Sequence, residues 1–334
     1  MKAMITGAAG FLGSELAKYL EGKGFDLVLL DNMEYGYEDN LSDYPDLLKR
    51  LIVDDVRNPD ILTYMTDVDV VFHFAGISSL PECETSPQKA FEVNTASVAG
   101  LLSGLRNMPR LKRFIFASTS AVYENNTEEV MSEDLPLAPD LVYATTKLCA
   151  EHICRLYALN YDMDIVICRF FNVFGPHQDY KRLHPPFTSY LIREISNGRR
   201  PVVFNTSDVR RDYIYTEDLI AYLDYLMSAP EKMRADIFNL CSGHGHSALE
   251  IVKAVYKIFG REPSYDEGKP VDFWNKYPSL FDRAKNLSEN RVKKEVYKNC
   301  IGSNRKIVGL SRQNCRYDLE TGLKIITDYQ SAQR

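Results

Sequence analysis

The chain has 334 residues, 45% hydrophobic and 26% charged, with 18 Gly and 15 Pro spread along it. A chain of that length buries roughly three quarters of the surface its unfolded form exposes, and its composition excludes disordered, collagenous and coiled-coil proteins. Forty basic residues against forty-six acidic ones give a net charge of -6, which argues against nucleic acid as a partner but leaves room for a local phosphate pocket.

Short aliphatic runs predict strands at Ala3–Thr6, Asp26–Asp31, Lys49–Val53, Val68–Phe74, Arg113–Thr119 and Asp164–Phe171. Their near-continuous apolarity fits a parallel sheet covered on both faces. Helical patterns at Gly10–Gly22, Pro87–Asn107 and Tyr143–Tyr161 are long enough for right-handed crossovers. The fold class that follows is α/β, a Rossmann-type doubly wound parallel sheet with a smaller, partly intertwined C-terminal domain.

Beyond Pro176 the pattern predicts helices at Phe187–Asn197, Glu217–Ser228 and Ala248–Phe259, with strands at Val202–Phe204 and Ile237–Leu240. Domains are expected at 1–175 and 176–334, with 237–259 able to return to the first. Asp266–Leu287 is polar and aromatic and holds the only tryptophan, Trp274; Asn286–Lys298 reads as a solvent-faced helix and Leu319–Tyr329 as a terminal amphipathic one. The seven cysteines are scattered with no CxxC pair and read as reduced thiols, and no metal site is expected. With no signal-peptide pattern and no apolar run of spanning length, a cytoplasmic protein with no membrane partner is expected.

Gly7-Ala8-Ala9-Gly10-Phe11-Leu12-Gly13 follows a predicted strand and opens a helix. In that setting Gly7 permits a tight turn, Gly10 admits a pyrophosphate to the backbone, and Gly13 lets helix and sheet approach. Asp31 ends the second strand 18 residues after Gly13, where a carboxylate accepts hydrogen bonds from an adenosine ribose and repels a 2′-phosphate. The adjoining Asn32-Met33-Glu34 supplies no cation, so NAD is favoured over NADP. Further along, Thr119 ends a strand at the carboxyl edge of the sheet. Tyr143 and Lys147 lie four apart on the next long helix and share a face, which suits a phenol acting as acid or base beside an ammonium.

With Ser118-Thr119-Ser120-Ala121-Val122-Tyr123, Arg169-Phe170-Phe171-Asn172-Val173-Phe174-Gly175-Pro176 and Arg211-Asp212-Tyr213 added to these motifs, the chain resembles the extended short-chain dehydrogenases/reductases over nearly its full length. Within them it is most similar to the nucleotide-sugar epimerase/dehydratase group. The resemblance implies bound NAD, a nucleotide-diphosphate sugar as substrate and a homodimer. It implies Tyr143 as catalytic acid/base, Lys147 on the nicotinamide ribose lowering the Tyr143 pKa, and Thr119 on the sugar hydroxyl. Asp55 and Val56 would bracket the adenine, Phe74, Ala75 and Gly76 would pass the pyrophosphate, and Asn94 would support the active site. Asn172 and Arg211 would bind the substrate diphosphate.

Three departures stand out. Glu124 replaces the glycine that follows Val-Tyr in the family, Asn205–Arg210 replaces a glycine-rich hairpin, and 266–298 is longer than the family's usual crossover. Dehydratases of the group place Asp-Glu directly after the catalytic Thr, and decarboxylases place Glu two positions after it. Here Ser120 and Ala121 stand there. The expected reaction is therefore C4 epimerisation, with a 4-dehydrogenase/reductase, a 4,6-dehydratase or a non-enzymatic nucleotide sensor as the alternatives.

Overall fold

The computed structural model describes residues 1–178, 185–275, 277–280 and 288–332. The chain divides into two compact units that are interleaved along the sequence. One comprises 1–122, 138–170 and 220–239; the other comprises 123–137, 171–219 and 240–334. The return to the first unit thus falls at 220–239, and Ala248–Ile258 stays with the second.

The first unit is built on seven strands: β1 Lys2–Thr6, β2 Asp26–Asp31, β3 Leu51–Val53, β4 Val70–His73, β5 Arg113–Thr119, β6 Ile165–Phe170 and β7 Arg234–Leu240. Their order is β3-β2-β1-β4-β5-β6-β7, and every pair from β3 across to β6 is parallel. Strand order reverses between β1 and β4, the place where open α/β sheets leave a crevice at their carboxyl edge. Residues of β4 and β6 are buried throughout, as their largely apolar runs predict, with His73 and Arg169 the polar exceptions.

Alternation decides which side chains share a face. Phe114, Phe116, Ile165 and Ile167 join Met4 and Val71 in one core, together with Leu101, Leu105, Ala150 and Cys154 of the covering helices. A fully buried side chain of this size contributes roughly 1.5–3 kcal/mol. Arg113, at the start of β5, reaches the last turn of the helix Thr216–Ser228, donating to the carbonyls of Leu226 (2.5 Å), Ala229 (3.0 Å) and Glu231 (2.7 Å) while pairing with Asp164. A guanidinium satisfies several otherwise orphaned helix-end carbonyls at once.

The predicted single helix Pro87–Asn107 is three segments: α-helix Pro87–Phe91, a π-turn Glu92–Ala96 and α-helix Ser97–Leu105. The π-turn carries Asn94, whose buried amide accepts the Ile77 N–H (2.8 Å) and donates to the Ile77 carbonyl (3.0 Å). Such turns gather at functional sites.

In the second unit the strands Asn172–Phe174, Arg210–Tyr215 and Gly245–Ser247 form a small mixed sheet. The helices Phe187–Ser196, Ala248–Ile258 and Leu319–Ala332 pack around Phe174, Leu191, Tyr215, Ile251, Val255 and Leu323. Ser247 and Glu250 form a capping box that starts Ala248–Ile258. The expected solvent-faced helix within 286–298 runs Glu289–Val296; the start of that range and most of 276–287 lie outside the described residues. It is not merely solvated: Val292 is buried, Arg291 pairs with Glu124, and Glu295 pairs with Arg211. Among the described residues all seven cysteines are free, no group of three or more His, Cys, Asp or Glu is placed to hold a metal, and no helix is long and apolar enough to cross a membrane.

Candidate active site

The turn after β1 is made by Gly7, at a φ of +72°, against the chain that leaves β4. A Cβ on Gly7 would stand 2.8 Å from the Ala75 nitrogen, and one on Gly13 would stand 2.0 Å from the Gly7 carbonyl oxygen. Both contacts are with backbone, so neither position admits a side chain without displacing the turn. Gly10 then caps the helix Phe11–Gly22 with no side chain covering its N-terminal end, which leaves positive dipole and N–H groups for an anion.

An open cavity of about 580 Å³ sits at this turn. Of the expected cofactor residues, Gly7, Gly10, Asp31, Asn32, Val56, Phe74, Ala75 and Gly76 line it. Phe11, Leu12, Gly13, Asp55, Asn94, Tyr143 and Lys147 do not line it; Gly13 supports the turn, and Asp55 is held beside the cavity by Arg57 (2.8 and 2.9 Å) and Asn32 (2.9 Å). The Arg57 hydrogen bonds hold the Asp55 carboxyl well below the usual carboxylate range. Sequence reasoning missed Leu30, Glu34, Tyr35, Gly36, Asp54, Ile77 and Val93, which also line the cavity. No motif marks them; β2, the stretches that follow β2, β3 and β4, and the π-turn bring them in.

Asp31 is 6% exposed, and its two oxygens accept the Ala9 (3.0 Å) and Met33 (2.9 Å) N–H groups. Burial raises its pKa against the lowering by these backbone bonds. A fixed carboxylate at the cavity wall, an uncapped helix end and side-chain-free backbone fit the adenosine and pyrophosphate of NAD. The protein is therefore expected to release NAD, not NADP, on denaturation, as mass spectrometry of the supernatant would show. Asp31→Ala should narrow the preference in competitive binding, and an undiminished preference would remove Asp31 from cofactor selection.

Thr119, 8% exposed, ends β5 with its Oγ1 accepting the Ala121 N–H (3.1 Å), and its side chain lies near enough to the Tyr143 hydroxyl to act on its pKa. Tyr143 and Lys147 share a face of the helix Val142–Tyr161, as their spacing predicts. The Lys147 ammonium is buried, 4.4 Å above the Phe116 ring, and burial pulls its pKa down to about 8. Burial pushes the Tyr143 hydroxyl up to about 12, outweighing the lowering by Thr119. The Lys147 ammonium sits toward Phe116 and the Gly76 backbone. A Cβ on Gly76 would meet Asn94 Oδ1 at 3.0 Å and Lys147 Nζ at 3.9 Å. Gly76 lines the cavity, so Lys147 and Asn94 border the cofactor wall from behind. A phenol held above its ordinary value is an acid at neutral pH, and it becomes a base only when a positive charge is brought beside it.

In the second unit Asn172 is exposed and donates to the Asp212 carbonyl (2.8 Å). Arg211 Nη2 donates to the Glu295 carbonyl (2.5 Å) and lies 3.4 Å from its carboxylate. Buried Lys298 lies close enough to feel both Arg211 and Arg291, a concentration of cations that no sequence motif marks. Glu124 is enclosed and paired with Arg291.

Comparison with known proteins places these features in a family. The chain is 31% identical over 278 residues to the UDP-glucose 4-epimerase of Lacticaseibacillus casei, covering 78% of this chain and 82% of that one. It is similar to the UDP-glucuronic acid 4-epimerase from Bacillus cereus solved in complex with NAD, at 25% identity with a TM-score of 0.82 over 100% of this chain and 99% of that one. The UDP-glucose 4-epimerase of Thermotoga maritima shares the fold, with a TM-score of 0.85 at 21% identity over 100% of this chain and 99% of that one. Residues 3–241 match the family model described as the NAD dependent epimerase/dehydratase family; with the glycine turn, Asp31 and the Thr119, Tyr143, Lys147 cluster in place, the chain belongs to that family.

Proposed function

We propose that the protein interconverts the C4 epimers of a nucleotide-diphosphate sugar through a transient 4-keto sugar. The observation that carries this reading is Thr119 beside Tyr143, one helical turn from the Lys147 that borders the cofactor wall, with Ser120 and Ala121 following Thr119 where eliminating or decarboxylating relatives need a carboxylate. NAD, when bound, supplies the hydride acceptor and donor that no side chain offers.

Tyr143 takes the C4 hydroxyl proton as the sugar is oxidised and returns it as the keto oxygen is reduced. Thr119 holds that oxygen in line with Tyr143. Lys147 stands by the wall at Gly76, placed for a ribose hydroxyl. The first unit is the cofactor-binding part in this reading, and the second holds the substrate. Asn172 and Arg211 bind its diphosphate, for which a guanidinium offers a rigid fork of donors. Fixing the substrate by its diphosphate leaves the hexose free to turn and present either face. The enzyme works as a cytoplasmic homodimer, a state that light scattering of the purified protein would check.

Incubation with UDP-, GDP-, CDP- and dTDP-linked hexoses and uronic acids, without added cofactor, tests the reaction type by NMR. One of them is expected to reach an equilibrium mixture of two epimers of unchanged mass, and a substrate deuterated at C4 should keep its label in both. Loss of water would identify a dehydratase, and a need for stoichiometric cofactor would identify a dehydrogenase or reductase. Either outcome, or loss of the label to solvent, would overturn the epimerase reading.

A further inference from the structure

The loop that follows β2 and the segment that follows β4 stand on opposite sides of β1 in the sheet order β4-β1-β2. Any bond joining them spans the carboxyl end of β1, where the glycine turn and the cofactor cavity lie. Two such bonds are made, and a relay through the segment after β3 adds a third link. The Tyr35 hydroxyl donates to Glu82 on the helix Leu80–Thr85, and Lys89 on the helix Pro87–Phe91 donates to Glu34. Asn32 donates to Asp55, whose partner Arg57 lies 3.7 Å from Glu92 of the π-turn.

The loop itself is preset. Asn32 Oδ1 accepts the Glu34 N–H (3.1 Å) and Asp31 Oδ1 the Met33 N–H (2.9 Å), with Met33 at a φ of +60°. Its far end is tied by the Tyr37 N–H (3.0 Å) and Asn40 Nδ2 (2.9 Å), both donating to the Ala9 carbonyl inside the glycine turn. Glu34 and Tyr35 line the cavity, whereas their partners Lys89 and Glu82 do not.

From this arrangement we infer that the loop 32–37 is a strap that retains the cofactor, fastened by the Glu34–Lys89 and Tyr35–Glu82 bonds. A nucleotide seated on the glycine turn leaves only when the strap lifts, so NAD stays resident from one turnover to the next. The inference rests on the proposed epimerase reading in one respect: a closed cycle of oxidation and reduction needs a cofactor that does not exchange, whereas a net dehydrogenase must release it. Glu34 and Lys89 are each 36% exposed at the side chain, so this fastening weakens as salt screens it.

The test is the release of isotope-labelled NAD from the loaded protein into excess unlabelled NAD, followed with and without added salt. Glu82→Leu and Lys89→Met together unfasten the strap without altering a residue that lines the cavity. The double variant is expected to release NAD about five- to tenfold faster than wild type, as the loss of two exposed polar bonds allows. Wild-type release should accelerate with salt more steeply than the variant's. Equal release rates in variant and wild type, with matching thermal unfolding, would overturn the strap. Should the double variant fail to fold, Lys89→Met alone and the wild-type salt dependence decide the matter, and a salt-independent wild-type rate counts against the inference. Wild-type protein that binds no NAD would overturn the functional reading itself, whereas NAD that is held but released regardless of these bonds would overturn only the strap.

Discussion

Replacing Tyr143 by phenylalanine is expected to lower turnover by about 10²- to 10⁴-fold, the usual contribution of a positioned proton-transfer group, while NAD affinity changes little. The substitution removes one oxygen from a half-buried ring and leaves the ring's volume in place. Its structural cost is that of one polar hydroxyl, roughly 1 kcal/mol. In the proposed cycle the hydroxyl takes and returns the sugar proton once a positive charge stands beside it, whereas Thr119 is too weak an acid and Lys147 faces Gly76 and Phe116. Epimer interconversion by NMR, beside an NAD binding isotherm, checks both halves. Turnover near the wild-type rate in a natively folded variant would take Tyr143 out of the mechanism.

A comparably large effect, on stability, is expected at Glu151. Its carboxylate is buried on the same helix one turn beyond Lys147, accepting from Ser118 Oγ (2.5 Å), Arg169 Nε (3.0 Å) and Arg169 Nη2 (2.7 Å). Glu151 and Arg169 are each 2% exposed. Glu151→Ala would leave a buried guanidinium without its carboxylate, which costs about 3–5 kcal/mol; the unfolding midpoint in urea measures it. Glu151→Leu combined with Arg169→Met should recover much of the loss, since replacing both charges with apolar groups avoids a lone buried ion. If the single variant is as stable as wild type, the pair does not anchor the helix to β5 and β6.

What the sequence made legible follows from the range of each interaction. The glycine turn, Asp31 and the Tyr143–Lys147 spacing are local patterns fixed by strand and helix geometry, and the structure places them as that geometry requires. The strands were found within a few residues because buried parallel strands are apolar throughout. Val68–Phe74, for instance, shortens to Val70–His73, where pairing with β1 and β5 ends. The π-turn at Glu92–Ala96 was not predicted, since a phase shift of one residue is small within a short apolar helix and the Ile77 backbone that Asn94 clamps lies in a different segment. Glu124 stood out as a departure from the family, but its partner Arg291 lies 167 positions away, and no local rule connects them. The same holds for Tyr35 with Glu82 and Glu34 with Lys89. The site's chemistry was legible where it is local, and its fastenings were not.

The interleaving of the two units bears on how the protein is made. On the ribosome, β6 emerges with the bulk of the sheet, yet its neighbour β7 belongs to a stretch synthesised only after 171–219, which fold into the other unit. Until then the apolar Ile165–Phe170 is the open margin of a nascent sheet, with backbone groups available to any passing strand. Vectorial synthesis therefore gives this chain an interval of aggregation risk in which chaperone cover is useful. It also means that no single cut in the gene yields either unit as a continuous polypeptide.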